Sequence, residues 1–260
     1  MGRLVAFGYG VAAYGVFLGA FLYAIGFVGN VVVPKGIDDG PVGDAASAVL
    51  IDLVLLGAFA VQHSVMARQA FKRWWTRVVP RPVERSTYVL IASCLLILLF
   101  ICWRPLPMGV WRVEAGLGRL LLSALFWLGW LTVLLSTFMI DHFDLFGLRQ
   151  VWCFLTGTPY EPPRFTMAGL YRYVRHPVML GFLIAFWATP EMTVGHLLFA
   201  ASTTAYILIG IFFEERDLAR FHGRVYSDYR RRVPMLIPWP RKARSMKAGP
   251  GARWRTEGTS

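Results

Sequence analysis

Long apolar stretches constrain this chain more than any other feature. Leu4–Val32, Ala46–Met66, Thr87–Trp103 and Leu120–Ile140 are each long enough to cross a bilayer, since a helical span takes about 20 mostly apolar residues. A fifth stretch, Val178–Phe213, is too long for one span and is interrupted by Thr189-Pro-Glu-Met-Thr193. Pro190 cannot continue a helix without losing a hydrogen bond, so the pattern predicts a helical hairpin with a short first arm. The expected fold is an all-α, polytopic membrane bundle: four spans, then the hairpin and a polar C-terminal segment facing the cytoplasm. The first stretch is too long for a signal-peptide core and shows no clear cleavage site, which reads as a permanent span. No internal repeat or separate soluble domain is visible. Residues 1–240 read as a single domain, and residues 241–260 as a basic tail of disordered composition.

The composition agrees with this reading. The chain is 56% hydrophobic, too apolar for an ordinary soluble domain. Its formal net charge of +12 would suit nucleic-acid binding if taken alone. The Lys and Arg residues, however, sit in short loops between apolar spans. Arg68–Arg85, Asp141–His176 and the segment after Glu214 are basic, whereas Lys35–Asp44 is acidic. This is the positive-inside pattern. It places the basic loops and both ends of the chain on the cytoplasmic side of a bacterial cytoplasmic membrane, with membrane lipid rather than nucleic acid as the surroundings. Trp74, Trp75, Trp103, Trp111 and Trp152 fall near span ends, where interfacial aromatics belong. Cys94, Cys102 and Cys153 form no Cys-x-x-Cys pair and read as buried apolar thiols.

Several polar groups stand at the cytoplasmic ends of the spans. In Arg175-His176-Pro177 the proline suits the first turn of a helix. The helix start beside Arg175 and His176 favours a bound carboxylate or phosphate, although a basic membrane anchor has the same appearance. Glu214-Glu215 closes the long apolar run. Two adjacent carboxylates there need water, a cation or hydroxyl donors such as a ribose diol, or a nearby Arg. Asp141-His142-Phe143-Asp144 ends the fourth span. His142 is the natural proton acceptor by its pKa, with Asp141 or Asp144 able to orient its other ring nitrogen. Gln62-His63 ends the second span in similar style, and Glu84, Arg85 and Tyr88 open the third. His63, His142 and His176 lack metal-ligand spacing, and no Gly-x-Gly-x-x-Gly or P-loop is present.

Taken in order, Gly169-Leu-Tyr-Arg-Tyr-Val-Arg-His-Pro177, Glu214-Glu215 and Gly223-x-x-Tyr226-x-x-Tyr229-x-x-x-Val233-Pro234 resemble the C-terminal signature of the integral-membrane methyltransferases. That family includes isoprenylcysteine carboxyl methyltransferases and phospholipid methyltransferases. Gln62-His-Ser-Val-Met-Ala-Arg68, Glu84-Arg-Ser-Thr-Tyr88 and Asp141-His-Phe-Asp-Leu-Phe-Gly-Leu-Arg-Gln150 are similar to a bacterial branch that methylates methanethiol to dimethyl sulfide. The resemblance therefore spans about Gln62 to Pro234.

It implies S-adenosylmethionine as methyl donor and a small thiol as substrate, with no protein partner. Within residues 163–234 it implies a cofactor site: Arg164, Phe165, Thr166 and Tyr171 would line it, Arg175 and His176 would approach its carboxylate or ribose, Glu215, with Glu214 in a secondary part, would take ribose hydroxyls or the amino group, and Tyr226 and Tyr229 would close over it. From the residues themselves, His142 is the expected base, oriented by Asp141 or Asp144, with Arg85 stabilising the thiolate. Prenylcysteine enzymes carry a Tyr two residues after the proline, where this chain has Met179, and an Arg within the stretch that here reads Ile209-Gly-Ile-Phe-Phe213. Both departures favour a small uncharged thiol. The alternatives are a lipid or prenyl acceptor, or a non-enzymatic assembly factor on the same fold.

Overall fold

The computed structural model describes residues 1–163 and 167–238. Arg164, Phe165 and Thr166, expected at the cofactor, lie outside the described residues, as does the 241–260 tail. The elements run α1 Arg3–Gly29, α2 Ala45–Ala67, α3 Gln69–Trp75, α4 Arg81–Cys102, β1 Gly109–Arg112, α5 Leu117–Ile140, α6 His142–Leu145, α7 Leu148–Thr156, a 3₁₀ turn Gly169–Arg172, α8 Pro177–Trp187, β2 Glu191–Thr193, α9 Val194–His222 and α10 Arg224–Arg232. α1, α2, α4, α5 and α9 are long and apolar enough to cross a membrane. Their outward faces carry exposed Leu4, Leu22, Leu50, Val54, Leu98, Ile101, Leu120 and Phe212. So wide an apolar belt is not left in water, and the protein is an integral membrane helical bundle.

The hairpin has the expected short first arm. α8 has 11 residues, about 16 Å of helix at 1.5 Å per residue, against 29 in α9. Its turn is not a simple loop. Residues 191–193 pair antiparallel with β1, in the register Trp111↔Met192 and Arg112↔Glu191. Ending α8 at Trp187 leaves carbonyls without helical partners. The fully buried His196 answers one of them, with Nε2 at 2.9 Å from the Phe186 carbonyl.

α5 and α8 meet backbone to backbone. A Cβ on Gly129 would lie 2.6 Å from the Ala185 nitrogen, and one on Gly181 would lie 2.7 Å from the Gly129 carbonyl oxygen. Small residues at such positions let membrane helices approach closely. Phe27, Trp103, Trp130, Phe186 and Phe199 fill the core beside this seam. Trp103 is therefore not the interfacial aromatic that its place in the sequence suggests. It is fully buried and donates from Nε1 to the Ile37 carbonyl at 3.0 Å. The cysteines likewise depart from expectation, Cys94 being exposed on α4 and Cys102 and Cys153 only half-buried. The start of α4 is earlier than the apolar stretch indicates, so Glu84 and Arg85 lie inside its first turns.

Candidate active site

The starts of α4 and α8 and the ends of α2, α5 and α9 come together at one end of the bundle. Arg175 Nη2 lies 2.6 Å from Glu215 Oε1, and Arg175 Nε donates to the same oxygen at 2.7 Å. Arg175 Nη1 donates to the carbonyls of Arg230 and Val233, while the backbone nitrogens of Arg175 and His176 donate to the carbonyls of Pro234 and Met235. Arg175 thus clasps the α10 segment to the start of α8. Four of its five N–H donors are thereby engaged within the protein. Glu215 is similarly occupied, with His176 Nε2 at 3.2 Å and Arg230 Nε at 3.4 Å.

Glu214 differs. Its side chain is half exposed by surface area, and its contact within this cluster is His176 Nδ1 at 3.6 Å. The surrounding protein raises its carboxyl above the ordinary range, with the Glu215 charge adding to this and His176 opposing it. Tyr229 donates to the Tyr171 carbonyl at 2.6 Å, and the rings of Tyr226 and Tyr229 lie 5.9 Å apart. Burial pushes the Tyr229 phenol up to about 12 and raises that of Tyr171, so both stay neutral donors at physiological pH. Tyr171, Arg175, His176, Glu214, Glu215, Tyr226 and Tyr229 therefore form one cluster, as the motif order implies.

The expected support for His142 is not what the fold provides. His142 is buried, with Nε2 at 2.9 Å from the Tyr14 hydroxyl and Nδ1 at 2.8 Å from Thr137 Oγ1. Thr137 gives its own hydrogen to the Leu134 carbonyl at 2.7 Å. Nδ1 must then be the protonated nitrogen, leaving Nε2 to accept from Tyr14. Phe138 stacks on the ring at 4.2 Å. Neither aspartate orients it. Asp141 caps α6 through the Asp144 nitrogen and pairs with Arg149 at 2.6 Å. Asp144 accepts from Tyr160 at 2.8 Å and from Gln150. The reason is chain direction: the backbone turns at Asp141, sending the carboxylates along α6–α7 while the imidazole points back to α1 and α5. Tyr14 and Thr137 carried no signal in the sequence, being single polar residues within apolar spans.

Arg85 Nε donates to the Leu145 carbonyl at 2.7 Å, and its guanidinium lies over the Tyr88 ring. With Lys72, Arg81, Glu84, Asp144 and Tyr160 it lines a cavity of about 650 Å³. Burial raises the Asp144 carboxyl above its ordinary range, against the Tyr160 hydrogen bond that lowers it. The elbow between α6 and α7 is Gly147 at φ +88°, where a Cβ would lie 2.6 Å from Ser86 Oγ. His63, His142 and His176 occupy three separate surroundings, and among the described residues no group of three His, Cys, Asp or Glu is placed to hold a metal.

A helical membrane bundle with a clasped polar cluster at one end defines a class, and comparison with known proteins specifies it. The family model described as NnrU protein matches residues 50–228. The methanethiol S-methyltransferase of Mycobacterium tuberculosis is 60% identical over 242 residues, covering 93% of this chain and 99% of that protein. Methanethiol S-methyltransferase 2 of Bradyrhizobium diazoefficiens is 56% identical, with 91% of each chain covered. Nurim of Xenopus laevis is 30% identical over 69% of this chain and 65% of its own. No solved structure matches. The chain belongs to the NnrU family, among relatives of the methanethiol S-methyltransferases.

Proposed function

We propose that this protein transfers a methyl group from S-adenosylmethionine to methanethiol, giving dimethyl sulfide. The observation that carries the reading is the clasped cluster around Glu214, in a chain 60% identical to a protein named for that activity. When bound, the cofactor supplies an electrophilic methyl on a sulfonium. The residues fit it. Glu214 offers a half-exposed carboxyl whose one partner in the cluster, His176, stands 3.6 Å away, leaving acceptor positions for ribose hydroxyls or an amino group. The half-buried Tyr171 supplies apolar ring area beside it, with Tyr226 and Tyr229 buried behind as packing. Arg175, His176 and Glu215 hold these parts together as positioning residues, so α10 closes over the site only while the clasp is made.

Asp141 and Asp144 fix the α6–α7 elbow that carries Arg85's carbonyl partner. Because both nitrogens of His142 are engaged, a proton reaches it only through Tyr14. Methanethiol must lose its proton to become a good nucleophile, and holding the reactants in line can contribute about 7–11 kcal/mol in favourable cases. The basic loops support a cofactor side that faces the cytoplasm.

The test supplies the purified protein with methyl-labelled S-adenosylmethionine and methanethiol. Volatile labelled dimethyl sulfide is the expected product. Label appearing only in added lipid or prenylcysteine acceptors would replace this reading with lipid-type methylation. Absence of both transfer and cofactor binding would leave a non-enzymatic membrane protein.

A further inference from the structure

His63 stands on α2 one turn before its end, and its ring makes no hydrogen bond to a described residue. Nδ1 is sealed from solvent without a partner, and so is Gln62 Oε1 beside it. An unpaired buried polar atom is costly, and each one calls for a partner or a role; the aromatic setting of this one bears on which. The surroundings are aromatic. Phe59 stacks on the imidazole at 5.2 Å, Tyr88 of α4 lies at 5.2 Å, and Tyr206 of α9 meets it edge-on at 6.5 Å. Both tyrosines are tied to α2, Tyr88 through its hydroxyl to the His63 carbonyl and Tyr206 through Ser64. The enclosure is therefore held in shape by α2 itself.

It also leads to the cofactor cluster. Tyr206, Gly210 and Glu214 follow one another at four-residue spacing on α9, and so lie one above the other along a single face. A Cβ on Gly210 would meet nothing within 4 Å, so among the described residues no side chain of the bundle packs on this face between Tyr206 and Glu214. Arg68, over the Phe213 ring at 4.7 Å and paired with Asp217 at 3.0 Å, ties α2 to α9 at the outer end of this face.

We propose that His63 is a catalytic residue, taking the acceptor's proton in a thiol seat walled by Phe59, Tyr88 and Tyr206. This rests on the proposed methyl transfer. A small neutral thiol suits the seat, because the sulfur gains from aromatic contact and the S–H needs one acceptor. In the step the S–H bond breaks and its proton goes to the imidazole. The sulfur forms a bond to the methyl carbon, and the old methyl–sulfonium bond breaks with its electron pair staying on the cofactor's sulfur. The products are dimethyl sulfide and the neutral thioether S-adenosylhomocysteine. The imidazolium then returns its proton to water. The charged and titratable groups that face His63 are Arg85 and Tyr88 from α4 and Tyr206 from α9.

The experiment compares the full-length protein with His63→Gln in detergent. It measures turnover of methanethiol from pH 6 to 10 and S-adenosylmethionine affinity by calorimetry. The expected result is a kcat about 10²-fold lower or worse at pH 7, with cofactor affinity within a few-fold of the parent. The variant's rate should climb about tenfold per pH unit, because only thiolate already formed in water reacts, while the parent's profile is flat over the same range. A kcat within about threefold of the parent, or parallel pH profiles, would overturn the assignment. If His63→Gln does not bind cofactor, His63→Gly with added imidazole decides: restored turnover supports the role, and none refutes it. Failure of the parent to methylate methanethiol would instead sink the proposed function itself, whatever His63 does.

Discussion

Arg175 and Glu215 form a buried ion pair at 2.6 Å, their side chains only 7% and 8% exposed, that joins the start of α8 to the far part of α9. It is the centre of the clasp, because the same guanidinium holds the Arg230 and Val233 carbonyls. Glu215→Gln should leave Arg175 buried and uncompensated, a loss of about 3–5 kcal/mol for one partner of a buried pair. Thermal unfolding in detergent should fall by several degrees, and S-adenosylmethionine affinity should fall with it as α10 loosens. An unchanged melting temperature would show that the pair is not holding the segment.

Glu214 is next in sequence but is not part of the clasp. Its half-exposed side chain reaches only His176 within the cluster, at 3.6 Å. Glu214→Gln should keep the melting temperature within a degree or two of the parent and weaken cofactor binding about tenfold or more, by loss of a charged hydrogen-bond acceptor worth about 1.5–3 kcal/mol. Calorimetry on the variant reads this directly. Intact affinity would remove Glu214 from the site.

Much of this was legible in the sequence, and the failures have physical causes. Span number and the short α8 followed from apolar length and Pro190, since the bilayer imposes both. The gathering of Tyr171, Arg175, His176, Glu214 and Glu215 followed from motif order at the two ends of one hairpin. Hydrogen-bond allegiance did not follow. Whether Glu215 faces a ligand or Arg175, and whether His142 leans on Asp141 or on Thr137, depends on rotamers and on the turn at Asp141. Tyr14 and Thr137 sit 123 residues apart, and single polar residues in apolar spans give no pattern to read. The pairing of residues 109–112 with 191–193 was hidden for the same reason, as a short ribbon between loops.

The α5–α8 seam sets where Pro177, and hence the clasp, begins. Gly181→Ala would place a Cβ 2.7 Å from the Gly129 carbonyl oxygen and 2.8 Å from the Val133 nitrogen. Both are backbone atoms inside a helix and cannot swing aside. Overpacking of this kind costs about 1–3 kcal/mol. The variant should melt lower and lose turnover as α8 shifts, whereas Gly57→Ala, which meets nothing within 4 Å, should behave as the parent. Equal melting temperatures for the two variants would contradict the close approach.

Tyr14→Phe separates a structural from a catalytic role for the His142 chain. It removes the hydroxyl 2.9 Å from Nε2 and leaves that nitrogen buried and unpaired, a penalty of about 1–3 kcal/mol. With His63 as the proton acceptor, turnover should stay within about threefold while thermal stability drops. Turnover reduced a hundredfold at unchanged stability would route the proton through Tyr14 to His142.

His142 also gives a pH dependence with a definite sign. Burial holds its pKa below the ordinary histidine value, and the nearby Asp141 charge only partly offsets this. The folded protein therefore keeps His142 neutral at a pH where the unfolded chain, with a value of about 6.5, already binds a proton. Stability rises with pH wherever the unfolded state binds more protons. The contribution is thus complete above about pH 6.5 and is lost as the pH falls from there toward the lowered folded-state value. Melting temperatures of the parent and of His142→Asn, measured in detergent between pH 8 and 5, should converge toward the acid end, the parent falling more steeply. Parallel curves would mean that His142 titrates alike in both states and that its burial between Tyr14 and Thr137 carries no proton linkage.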